Sequence, residues 1–157
     1  MTNTSKLQAS DFALRRENLA KAVKAPIVMT ANTEMQAKAD MTYPFVQDAS
    51  FFYLTGIAEP NWMIVWDMSE WKLVRPHVSD THALFDGSLP DDEAGAISGI
   101  NQVVSAKQYN VLLKELAAKH DSVATLGKDS HEKYYEFSLN PAQQKLAADL
   151  EETFKEV

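Results

Sequence analysis

Four histidines, 22 acidic residues and no cysteine set the chemistry open to this 157-residue sequence. His77, Asp80 and His82 are the one close grouping of candidate metal ligands, in a polar stretch beside Pro76. Imidazole and carboxylate suit a divalent metal, but the odd spacing puts His77 and His82 on opposite faces of a strand, so a site needs a loop that folds them together. The composition of the stretch favours a solvated loop. His120 follows Lys119 at the end of an expected helix, where a cation complements the helix dipole. The acids Asp91-Asp92-Glu93 fit a helix N-terminus, and Asp149 to Glu152 fit an exposed helical face, in place of a pocketed catalytic pair. There is no G-x-S-x-G, no glycine-rich phosphate loop and no H-E-x-x-H. No catalytic residue, metal ligand or cofactor is therefore assigned to this chain.

The formal net charge of -7 repels phosphate backbones and anionic lipid, which argues against nucleic acid and membrane partners. The absence of cysteine removes disulfides, thiol catalysis and thiolate metal sites. Met1 to Lys6 carry no apolar signal core, and the longest strongly apolar run, Trp62 to Trp66, is far too short to span a bilayer. The expected location is the cytoplasm.

At 45% hydrophobic residues the chain can bury one core, which suggests one domain over residues 1–157. A helix is expected from a cap at Asp11 to about Lys24, with Phe12, Leu19 and Val23 on its buried face and Arg15, Arg16 and Glu17 pointing elsewhere. Ile27 to Thr30 reads as a strand, and so do Phe51 to Thr55, Trp62 to Asp67 and Trp71 to Arg75, the last two as a hairpin across Met68-Ser69-Glu70. His82 to Phe85, Gln102 to Val104 and Val123 to Leu126 are weaker strand candidates, the second after a helix from Asp91 to Ile97. Ser105 with Gln108 forms a capping-box pattern before a stripe of Tyr109, Leu112, Leu113, Leu116 and Ala117. Asn140 as cap and Pro141 at the first helical position open a final helix striped by Leu146, Ala147, Leu150 and Phe154. Helices and strands intermingle, which favours a layered α/β sheet.

The densest aromatic stretch runs Asp40-Met-Thr-Tyr43-Pro44-Phe45-Val46-Gln47-Asp48, then Phe51-Phe52-Tyr53-Leu54-Thr55-Gly56, then Glu59-Pro60. Its aromatic density suits a binding groove, but residue types alone favour the alternative, in which Phe51, Tyr53 and their neighbours fill a core while Tyr43-Pro44 and Gly56 to Pro60 set turns. The stretch also resembles the signature of the N-terminal domain of Xaa-Pro aminopeptidases, of the creatinase/prolidase family. There an acidic residue precedes Tyr-Pro-aromatic-Arg-Gln, a Phe-x-Tyr-Leu/Phe-Thr-Gly run and Glu-Pro. Asp40, Tyr43, Pro44, Phe45, Gln47, Phe51, Tyr53, Thr55, Gly56, Glu59 and Pro60 match position by position. Two departures stand out: Val46 replaces the usual Arg, and Phe85-Asp86-Gly87-Ser88 occupies the place of a Trp-x-Gly-Arg pattern. Valine cannot hold a carboxylate as a guanidinium does.

The resemblance implies a single three-layer α/β domain, a mixed β-sheet flanked by helices in a ribonuclease-H-like arrangement. It implies a non-catalytic domain of a metal-dependent Xaa-Pro peptidase that shapes substrate access and subunit assembly. The peptidase chemistry would belong to a C-terminal pita-bread catalytic domain absent from this chain, where two divalent metals of the Mn type are expected. Its expected partners are that domain and the subunits of a homo-oligomer. Candidate binding or interface residues are Asp40, Tyr43, Phe45, Gln47, Tyr53, Glu59 and Phe85. The alternatives are a stand-alone peptide- or protein-binding module and a small metal-dependent hydrolase using His77, Asp80 and His82.

Overall fold

A computed structural model of the chain describes residues 7–77, 88–127, 134–137 and 139–157. Ile27–Thr30 (β1) is buried along its whole length, so Ile27, Val28 and Met29 are apolar in succession where a half-exposed strand would alternate, and the buried Thr30 hydroxyl donates to the Ala31 carbonyl. It pairs antiparallel with Met63–Trp66 (β4), placing Val28 opposite Val65. Strand β4 pairs antiparallel with Trp71–Val74 (β5), and β5 runs parallel to Gln102–Val104 (β6). The result is a mixed four-stranded sheet in the order β1-β4-β5-β6. A small separate hairpin, Gln36–Lys38 (β2) with Met41–Thr42 (β3), projects after β1.

Helices cover both faces. Ala9–Ala22 (α1), Ala49–Thr55 (α2) and Asp91–Ser98 (α3) lie on one side, over a core of Ile27, Met29, Phe51, Leu54, Trp62, Ile64, Leu73, Ala94 and Ile100. Ala106–Lys119 (α4) and Ala142–Glu151 (α5) cover the other, over Val28, Val65, Val74, Tyr109, Leu113, Leu116, Leu146 and Leu150. Alternate residues of β1 and β4 serve the two cores, as the period of a strand requires. The architecture is the expected three-layer α/β domain.

The caps explain where the elements stop. The Ser105 side chain accepts from the Gln108 N–H, and the Gln108 side chain accepts from the Ser105 N–H at 2.8 Å, closing the expected capping box. Asn140 Oδ1 accepts from the Ala142 N–H at 3.1 Å, and Pro141 already has helical angles. The β4–β5 hairpin turns at Asp67, whose Oδ1 accepts from the Ser69 and Glu70 N–H groups while Oδ2 meets Lys72 Nζ at 2.7 Å. Burial by itself would raise the Asp67 carboxyl, but the hydrogen bonds from Lys72, Ser69 and the turn backbone hold it well below the usual carboxylate range.

Four expectations change. Phe51 to Thr55 is helical, not a strand. The Asp48 carboxylate accepts from the Phe51 N–H at 2.7 Å, and Gly56 ends the helix at φ 71. The buried residues Phe51, Leu54 and Thr55 therefore recur at helical spacing, and cap chemistry overrides the β preference of the aromatics. Arg16 does not point away from the core: it lies one turn after Phe12 on the same face and is 3% exposed. Asp11 sits within the first turn and hydrogen-bonds the Gln8 N–H, one turn later than a cap position. Val123 to Leu126 contributes a single bridge, Ala124 beside Ile27, rather than a full strand. The candidate strand at His82 to Phe85 lies outside the described residues.

Candidate functional site

The segment from Asp40 to Pro60 is held by one amide. Gln47 Oε1 accepts from the N–H groups of Asn32 at 3.0 Å and Asp48 at 2.9 Å, and Gln47 Nε2 donates to the carbonyls of Ile57 at 3.2 Å and Glu59 at 2.9 Å. Two donors and two acceptors use the bonding capacity of a carboxamide, so Gln47 joins the end of β1, the start of α2 and the loop after α2. Its amide supports the segment from within. Asn32 Nδ2 adds a bond to the Val46 carbonyl at 2.9 Å. Asn140 pairs with the Thr33 backbone in both directions, at 3.2 and 2.8 Å, and so fastens the approach to α5 to the loop after β1.

Around this clamp the other candidates divide. Asp40 lies in the turn of the small hairpin and is exposed, as is Glu59. Tyr43 is 60% exposed, Val46 73% and Tyr53 55%, while Phe45 is half-buried. Phe51 joins the core as expected, but Tyr53 does not: the Arg15 guanidinium lies 4.2 Å from its ring centroid, and Arg15 Nη1 donates to the Tyr53 carbonyl at 2.9 Å. Arg16 Nη1 donates to the Leu54 carbonyl at 2.6 Å. Two successive arginines of α1 thus bind carbonyls in the last turn of α2, where the dipole favours positive charge. The sequence reading missed both. The signal available was the spacing of Phe12, Arg16, Leu19 and Val23, which places Arg16 on the apolar stripe.

His77 is exposed, and Asp80, His82 and Phe85 lie outside the described residues. Among the described residues no group of three or more His, Cys, Asp or Glu side chains is placed to hold a metal ion. No described helix is long and apolar enough to cross a membrane.

The fold and the site define a three-layer α/β domain that carries an internally clamped aromatic segment. Residues 12–125 match the family model of the aminopeptidase P N-terminal domain, and the chain belongs to that family. It is 30% identical over 95 residues to the Aspergillus terreus protein named Probable Xaa-Pro aminopeptidase pepP, covering 59% of this chain and 20% of that protein. It is 25% identical over 139 residues to human Xaa-Pro aminopeptidase 3, covering 76% of this chain and 27% of the human protein. Escherichia coli aminopeptidase P, in its His354Ala form, superposes with a TM-score of 0.68 at 24% identity, over 83% of this chain and 32% of that chain. A Bacillus anthracis chain provisionally named aminopeptidase P superposes with a TM-score of 0.77 at 19% identity, over 96% of this chain and 38% of its own. These superpositions show the fold. The chain spans about a quarter of the length of the curated relatives it matches.

Proposed function

We propose that this chain acts as the non-catalytic N-terminal domain of a metal-dependent Xaa-Pro peptidase in the cytoplasm, helping to shape substrate access and subunit assembly. In this reading the 157 residues form one domain, and a C-terminal pita-bread catalytic domain holds the divalent metals. The observation that carries the proposal is the Asp40–Pro60 segment. Its backbone is fixed by Gln47, so the exposed Tyr43, Val46 and Tyr53 are presented in a defined arrangement. Presentation of apolar and aromatic side chains on a fixed backbone suits a contact surface, because little backbone freedom remains to be lost on association. Val46, in place of the arginine common in the signature, makes that surface apolar where relatives of the usual pattern would be cationic.

The test is an assay of Xaa-Pro peptide cleavage by this chain with added Mn²⁺, in material free of host peptidase. No turnover is expected, and sustained cleavage would remove the proposal. Sedimentation of the chain alone and with a separately produced catalytic domain of the family addresses assembly: co-sedimentation is expected, and it should weaken in Tyr43→Ser and Val46→Asp. A second reading, a peptide-binding module, is favoured by the exposure of Tyr43 and Tyr53. Titration with proline-containing peptides separates the two, since saturable shifts confined to residues 43–53 would support the module.

A further inference from the structure

A groove of about 310 Å³ runs along α4 on the side of β6, the strand at one edge of the four-stranded sheet. Its walls are Lys72, Val104, Lys107, Val111, Leu112 and Glu115. Val104, Leu112 and the alkyl stem of Lys72 make it apolar, since the Lys72 ammonium is held by Asp67 at 2.7 Å and Glu70 at 2.6 Å. Val111 is 54% exposed, on the face of α4 away from the buried Tyr109, Leu113 and Leu116. Lys107, Val111 and Glu115 are spaced four apart and form one row along this exposed face. The two charges lie about 12 Å apart by the rise of the helix, too far to pair with each other. Neither forms an ion pair among the described residues, not even Glu115 with Lys119 one turn on. Lys107 does not serve the helix either, because it lies in the first turn, where the dipole opposes a cation.

We propose that this face of α4 docks on the same face of a second copy of the chain, antiparallel about a two-fold axis at Val111. A row that is positive at one end, apolar at the centre and negative at the other complements itself only when reversed. The axis sets Lys107 against Glu115 of the second copy, twice, around a contact between the two Val111 side chains, and each valine leans toward the apolar groove of the other copy. Parallel packing would oppose Lys107 to Lys107 and Glu115 to Glu115, so charge selects the antiparallel arrangement. Gln108 and Lys114, three positions either side of Val111, then oppose an amide to an ammonium and add no repulsion. One helix pair buries less than a standard interface, so the dimer is a weak one that forms in the sub-millimolar range. The surface uses none of the residues from Asp40 to Pro60, so it stands or falls separately from the peptidase reading.

The experiment is sedimentation equilibrium of the whole chain over a range of concentrations at low salt, where a monomer–dimer equilibrium is expected. Val111→Glu places two carboxylates on the axis and should abolish the dimer. Lys107→Glu and Glu115→Lys each turn both ion pairs into repulsions and should weaken it about tenfold. All three positions are exposed, so the fold tolerates the changes. The deciding sample is a mixture of Lys107→Glu with Glu115→Lys. In the mixed pair every carboxylate meets an ammonium, so a dimer should form at concentrations where each variant alone is monomeric. The chain carrying both changes should dimerise as the unaltered chain does. A chain that stays monomeric at millimolar concentration, a mixture that does not associate, or a doubly changed chain as weak as the single variants would each overturn the proposal. A dimer lost in Val46→Asp but kept in Val111→Glu would also overturn it, by moving self-association to the Asp40–Pro60 surface.

Discussion

Two helices on the same face of the sheet end in the same three-residue device, Thr55-Gly56-Ile57 after α2 and Ser98-Gly99-Ile100 after α3. In each, the last hydroxyl donates to the carbonyl four residues back at 2.8 Å and accepts from the isoleucine N–H at 3.1 Å. In each, the glycine turns the chain at φ 71 or 73 and the isoleucine enters the core. The surroundings differ. Beside Gly56 the Phe12 ring leaves no room, with a hypothetical Cβ only 2.4 Å from its edge, and Arg15 and Arg16 bind the adjacent carbonyls. Beside Gly99 the nearest atom is the Ala9 carbonyl oxygen at 3.2 Å, at the start of α1. The same local solution is thus locked in place at one end and merely accommodated at the other.

Replacing the glycines separates the shared device from its surroundings. Gly56→Ala should destabilise by about 3 kcal/mol, from the left-handed backbone and the displacement of a buried phenyl ring. Gly99→Ala should lose about 1–2 kcal/mol, since the α1 terminus can yield by a few tenths of an ångström. Equal losses in denaturant melts would show that Phe12 does not constrain the first site.

The hydroxyls test the likeness instead. Thr55→Val and Ser98→Ala each strand a buried isoleucine N–H, and each should cost about 1–2 kcal/mol. A difference larger than about 1 kcal/mol between them would break the equivalence.

A polar turn away from both ends provides the pH-dependent contrast. The Asp67 carboxyl is held below its ordinary range in the folded protein, so its stabilisation is present above the unfolded carboxyl value of about 3.9 and is lost as the pH falls below it. Asp67→Asn should therefore cost about 1 kcal/mol at neutral pH and progressively less toward about pH 2, in urea melts across that range. The smallest effect is expected from Arg15→Gln, about 0.5 kcal/mol, because the Arg15–Tyr53 contact is exposed.

Much of the frame was legible from local patterns. The Ser105–Gln108 box, the Asn140-Pro141 start and the β4–β5 hairpin each depend on residues a few positions apart, and each is found as expected. The α2 error has the same origin, because Asp48 and Gly56 were a readable pair of caps outweighed by the aromatic run between them. Within the candidate site, the signature marked the segment but not the task of its members. Gln47 looks like a contact residue in sequence and is consumed by four partners up to 15 positions away.

The sequence by itself determined the local chemistry: which residues cap, turn and alternate, and that Asp40 to Pro60 belongs to the pattern of an aminopeptidase P N-terminal domain. Those features follow from dihedral preferences and hydrogen bonds that close within a few residues. Only the tertiary structure decided that Arg16 is buried 38 positions from its carbonyl partner, that Asn140 fastens to Thr33 across 107, and that Lys72 and Val111 line one groove. Such pairings depend on how the two helical layers settle on the sheet, and no spacing within the chain encodes that contact directly.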